Sequence, residues 1–98
     1  MYVVVQHTIK NAETALTRGQ RLISGEGAPS TVKVLQFYPS QDLTKVTCLW
    51  ESDSVRSVQD WVDTTLGDSS ENLCYPVAAD QAFADRPLGL PASPMLTA

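Results

Sequence analysis

TVKVLQFY at residues 31–38 and KVTCLWE at residues 45–51 decide the fold of this chain. Each run is rich in β-branched and aromatic residues and reads as a strand. Between them lies Pro39-Ser40-Gln41-Asp42-Leu43-Thr44, turn-prone and of hairpin length. With Pro39 facing Lys45, the register pairs Tyr38 with Val46, Gln36 with Cys48 and Val34 with Trp50. Side chains alternate along a strand, so Val34, Gln36, Tyr38, Val46, Cys48 and Trp50 then share one face. Lys33, Leu35, Phe37, Thr47, Leu49 and Glu51 share the other. Large apolar groups stand on both, so the hairpin needs cover on both sides.

Working outward, residues 2–9, YVVVQHTI, form a preceding strand. Asn11 then offers a capping oxygen, and Glu13 sits in the first turn, where the helix dipole favours an anion. Ala12, Ala15, Leu16, Gly19, Leu22 and Ile23 recur at helical spacing, predicting a helix over 12–24 that stops at Gly25. Downstream, Ser52, Asp53 or Ser54 caps a second helix with the stripe Val55, Val58, Trp61, Val62 and Leu66, ended by Gly67. Asp68 to Asn72 reads as a polar linker. Residues 73–79, LCYPVAA, give a fourth strand, which Pro76 confines to an edge or a bulge.

The expected fold class is therefore α+β, in the order β-α-β-β-α-β. Residues 1–83 form the domain and residues 84–98 an uncharged, proline-containing arm after Arg86. Two helices can cover only one face of a four-stranded antiparallel sheet, and a wet second face calls for clean apolar–polar alternation. The hairpin lacks it. Leaving either face in water would expose a patch of the size that marks an interface. A second copy covering that face is the economical solution, so a homodimer is expected, with Leu88, Leu90, Met95 and Leu96 of the arm available to wrap the partner.

Composition narrows the function classes. The chain has 98 residues, 43% hydrophobic and 18% charged, with a net charge of −4. Its seven basic residues are scattered singly. Without a basic stripe, nucleic acid and anionic membrane surfaces are not expected partners. No apolar run approaches the roughly 20 residues of a membrane-spanning helix. The start, MYVVVQH, lacks the basic region and cleavage site of a signal peptide, so the cytoplasm is the expected location.

The element order and the run CLWESDSVRSVQDWVD, Cys48 to Asp63, resemble the dimeric α+β-barrel superfamily of ferredoxin-like proteins. The likeness is greatest to a small branch whose third strand reads Cys-x-aromatic-Glu straight into a capped helix. It covers roughly residues 2–79. It implies a ferredoxin-like sandwich with sheet order 4-1-3-2, both helices on one face and dimerisation through the other. It also implies a small-molecule pocket bounded by sheet. The superfamily includes antibiotic-biosynthesis monooxygenases, muconolactone isomerase-like enzymes and stress-responsive barrel proteins, so a cofactor-free enzyme of monooxygenase or isomerase kind is one implication. Fold does not fix function. A non-catalytic interaction module and a divalent-metal-binding protein stay open beside it.

His7 and Glu51 are the candidate catalytic residues. His7 is the only histidine, the side chain best suited to proton transfer near neutral pH. It alternates with Val3, Val5 and Ile9, and needs Glu51 or a tyrosine hydroxyl within hydrogen-bond reach to act. The bland reading is a satisfied structural histidine, and for Glu51 a surface carboxylate. Gln6, Gln36, Tyr38, Cys48 and Trp50 are the candidate ligand-binding residues, mixing aromatic surface with a few polar groups as small-ligand sites do. Tyr38 and Trp50 read equally as interface anchors. Cys48 and Cys74 sit on strands separated by the first one, about 9.5 Å apart at ~4.8 Å per strand. That is beyond disulfide reach, so two free thiols are expected. No CxxC, HExxH or EF-hand pattern is present, and one histidine is thin for zinc. Neither a metal nor a cofactor is expected.

Overall fold

The structure, a computed structural model, describes residues 1–85 and 89–90. Leu88, Met95 and Leu96 of the expected arm lie outside the described residues. The elements run β1 (Tyr2–Ile9), α1 (Ala12–Ser24), β2 (Val32–Pro39), β3 (Lys45–Ser52), α2 (Val55–Leu66), a single 3-10 turn (Gly67–Ser69) and β4 (Ser70–Pro76). The result is an α+β fold with one four-stranded antiparallel sheet in the order β2-β3-β1-β4. Counted from the β4 edge, that succession is 4-1-3-2.

Local chemistry sets the helix bounds. Asn11 accepts a side-chain hydrogen bond from the Thr14 amide, and Gly25 closes α1 at φ +75°, its N–H returning to the Arg21 carbonyl. Ser54 caps α2 through the Ser57 amide, and Gly67 turns the chain out at φ +56°. Arg18 of α1 donates to the Leu66 carbonyl and to Asp68, both at 2.9 Å, and so ties one helix to the end of the other. A Cβ on Gly67 would meet that guanidinium at 3.0 Å.

The core lies between the helices and one sheet face. Val3 and Val5 of β1, Cys48 and Trp50 of β3, and Val58 and Val62 of α2 are buried together, with Leu22 the one fully buried residue of α1. Fully burying such side chains contributes about 1.5–3 kcal/mol each. Leu16, on the margin of the expected α1 stripe, is exposed. The contact line runs instead through Ala15, Gly19 and Leu22, which are partly or fully buried.

Two expectations need correction. Val34 does pair with Trp50, but a β-bulge between Val34 and Gln36 shifts the rest of β2 by one residue. Gln36 faces Leu49, Phe37 faces Cys48, Tyr38 faces Thr47, and Pro39 faces Val46. Since cross-strand partners share a face, Gln36 and Tyr38 leave the Cys48–Trp50 side and join Leu49 and Thr47. In addition, β4 starts at Ser70, not at residue 73. The stretch expected as linker pairs Ser70, Glu71 and Asn72 with Ile9, Thr8 and His7. Pro76 closes β4 on an edge of the sheet, where a missing N–H is tolerated.

The second sheet face carries no helix. Two rows cross it, Gln36-Leu49-Val4-Tyr75 and Tyr38-Thr47-Gln6-Leu73. Lys33-Glu51-Tyr2 borders it at one end and Lys45-Thr8-Glu71 at the other. Leu73 is 61% exposed, and Tyr2, Tyr38 and Tyr75 about 40%.

Candidate functional site

The sheet brings a chain of polar groups together under α2. His7 is 3% exposed, on the helix-covered side of β1. Its Nδ1 lies 2.6 Å from Asn72 Oδ1, and its Nε2 3.5 Å from Cys48 Sγ. Asn72 Oδ1 also accepts from Ser70 Oγ, while Nδ2 donates to Asp63 at 2.9 Å. Gln59 Nε2 donates to both Asp63 carboxylate oxygens and to the Asn72 carbonyl.

The orientation follows from donors and acceptors. A carboxylate only accepts, so the Asn72 amide nitrogen faces Asp63 and its oxygen faces His7. His7 therefore carries its proton on Nδ1, leaving the Nε2 lone pair for the Cys48 S–H. Burial holds the imidazole pKa below 6.5, against the smaller opposing influence of Asn72 and the Asp63 charge. Burial also pushes the Cys48 thiol up to about 12, with the nearby Cys74 adding to it.

Thiol, imidazole and amide stand in the order that nucleophilic catalysis uses. The electrostatics run the other way. Cys48 is 2% exposed and protonated, and His7 is neutral, so neither presents a charged or accessible group to a substrate. The arrangement is a satisfied buried network that fastens β1, β3, β4 and α2 together.

The expected site residues divide between the two faces. His7, Cys48 and Trp50 lie on the covered face and are buried. Gln6, Gln36, Tyr38 and Glu51 lie on the open face, and the bulge is what places Gln36 and Tyr38 on the same face as Gln6, with β3 between them. His7 and Glu51 are not brought together. His7 faces Val46 and Glu51 faces Tyr2, an odd separation along β1 that puts them on opposite sides of the sheet. Asn72 takes the place expected of Glu51. Asn72, Ser70, Gln59 and Asp63 are the residues that sequence reasoning missed. Period-two alternation carried back from Cys74 would have aligned Asn72 and Ser70 with it, and Gln59 and Asp63 are an i,i+4 pair beside Val58 and Val62.

Trp50 is 1% exposed, its indole N–H without a partner among the described residues, and it acts as a core anchor. It also floors a cavity of about 300 Å³ between the end of α1 and β2, walled by Leu22, Ala28, Pro29, Val32 and Val34. None of the polar candidates lines that cavity. Both cysteines are free, with Val5 facing Cys48 on one side and Cys74 on the other. Among the described residues, no group of three or more His, Cys, Asp or Glu could hold a metal ion, and no helix is long and apolar enough to cross a membrane. Comparison with known proteins finds no matching family model and no matching curated protein.

Proposed function

We propose that this chain works as a homodimer that packs its two open sheet faces together and holds a small polar molecule between them, against Gln6, Gln36 and Tyr38. The observation that carries the reading is the make-up of that face. Val4, Leu49, Leu73, Tyr75 and Tyr2 give it an apolar, aromatic body, with Gln6 standing inside it on the central strand β1 and Gln36 on the edge strand β2. A glutamine amide taken out of water needs hydrogen-bond partners, and a bound polar ligand supplies them. Association through the face is favoured over the edges. Both edge strands end in proline, Pro39 and Pro76, which shortens the ladder each can offer, and β2 is also interrupted by its bulge.

This is a binding function, and His7 supports the fold in it. The ferredoxin-like arrangement and the dimeric α+β-barrel resemblance of Cys48 to Asp63 belong to the same proposal, and two reduced thiols suit a cytoplasmic setting. The rival is an interaction module whose faces close on each other completely. Native mass spectrometry of the freshly purified protein separates the two. A dimer, twice the 10.7 kDa chain mass, carrying excess mass that Gln6→Leu or Gln36→Leu removes, supports ligand binding. A dimer of bare chain mass supports the module. A monomer at high micromolar concentration overturns both.

A further inference from the structure

We infer that the two copies meet about a two-fold axis running across the strands, so that Lys45 of each chain pairs with Glu51 of the other and Tyr38 of each covers Gln36 of the other. The inference rests on the homodimer proposed above and goes beyond it by fixing which residues the second copy contributes to the site.

The central strand β3 carries Lys45, Thr47, Leu49 and Glu51 on the open face, a cation at one end and an anion at the other. When two such faces meet in aligned packing, the two-fold axis in the plane between them runs close to the strand direction or close to its perpendicular. An axis along the strands keeps each end over its own kind of end. Glu51 then falls over the second copy's Tyr2, and Lys45 over its Thr8, so that neither charge meets an opposite one directly across the interface. An axis across the strands inverts the ends and keeps each strand over itself. Glu51 then lies over Lys45 of the second copy, and the contact occurs twice by symmetry.

The remaining positions agree with the crosswise axis. Gln36 comes over Tyr38, an amide against a phenol that can exchange a hydrogen bond. Tyr75 comes over Leu73, and Val4 over the aliphatic stem of Gln6. Two other charges share the ends of this face. Glu71 is already held by Lys10 at 3.3 Å. Lys33, the cross-strand neighbour of Glu51, sits on the outer strand. Sheets packed face to face keep their strands within about 30° of each other, an offset that long lysine and glutamate side chains span. Each site then joins Gln36 of one copy to Tyr38 of the other, and is incomplete in a single chain.

The test uses exposed residues whose replacement leaves the core untouched. In sedimentation velocity, Lys45→Glu and Glu51→Lys each weaken the dimer roughly a hundredfold, since each sets like charges against one another at both contacts. Mixing the two variants restores association as a heterodimer, because every contact then joins opposite charges. Wild-type dimerisation that neither substitution changes, or two variants that do not recover on mixing, overturns this register and leaves the dimer standing. A monomeric wild type removes the dimer itself and this inference with it.

Discussion

His7 donates from Nδ1 to Asn72 Oδ1 across 2.6 Å, fastening the middle strand β1 to the edge strand β4 beneath α2. Asp63 accepts from Asn72 Nδ2 and so fixes the amide with its oxygen toward His7. Asn72→Leu should leave the buried His7 N–H unsatisfied and lower the unfolding free energy by about 1–3 kcal/mol. Glu71→Ala, on the exposed side of the same strand, should change it by less than about 0.5 kcal/mol. Urea denaturation of the two variants measures the contrast, and equal effects would count against a structural role for the network.

The same histidine sets a pH dependence. Burial holds its folded pKa below the ordinary 6.5. As pH falls through 6.5 the unfolded chain takes up a proton that the folded chain still refuses, so the unfolded state gains relative stability. The contribution of neutral His7 is complete above 6.5 and is lost as pH drops through the lowered folded value. Asp63, Cys48 and Cys74 are the titratable groups around it, and neither thiol titrates in that range. The midpoint of urea unfolding should therefore fall between about pH 7 and pH 5, and a His7→Gln variant should flatten the fall. Asp42 acts in a separate window. Hydrogen bonds, first from the Thr44 amide and then from the Thr44 and Ser40 hydroxyls, lower it from 3.8 to about 2. Its share is present above 3.8 and is lost only as pH falls toward 2.

Both thiols should be poor nucleophiles in the folded protein. Cys48 is pushed up to about 12 and Cys74 to about 11, in each case mainly by burial. Iodoacetamide near pH 8 should leave Cys48 unmodified and alkylate Cys74 slowly, while denaturant exposes both to full modification. Mass spectrometry after timed quenching reads the order. Rapid modification of Cys48 in the native protein would mean that it is accessible and ionised, and would revive a catalytic role for it.

How far the sequence carries can be read from these same residues. The bounds of α1 follow from Asn11 and Gly25, and those of α2 from Ser54 and Gly67, because capping is local chemistry. The separation of Cys48 from Cys74 followed from strand order. The bulge at Leu35 did not, since an inserted residue leaves the alternating pattern of β2 intact and shows only against its partner β3. That one residue moves Gln36 and Tyr38 to the open face and so redraws the candidate site. Asn72 was hidden for a different reason. In a stretch of Asp, Ser, Glu and Asn nothing local signals a strand, and it is the pairing with β1 and the bonds to His7 and Asp63 that hold it there.

The β2–β3 turn holds a residue under strain. Leu43 adopts φ +61°, the left-handed region, where an L side chain costs about 1–2 kcal/mol. Its neighbours enforce the geometry. The Leu43 amide bonds to the Ser40 carbonyl at 3.0 Å, and the Asp42 carboxylate accepts from Ser40 Oγ, the Thr44 amide and Thr44 Oγ1. The Leu43 side chain is more than half exposed, so little packing is lost with it. Leu43→Gly should relieve the strain while adding freedom to the unfolded chain, for a net gain of roughly 0.5–1 kcal/mol. Leu43→Asn should recover part of that gain, and Leu43→Val should lose stability, because a β-branched side chain tolerates positive φ least. Thermal unfolding of the three variants gives the order directly. A gain for valine together with a loss for glycine would show that side-chain contacts, not backbone strain, govern this turn.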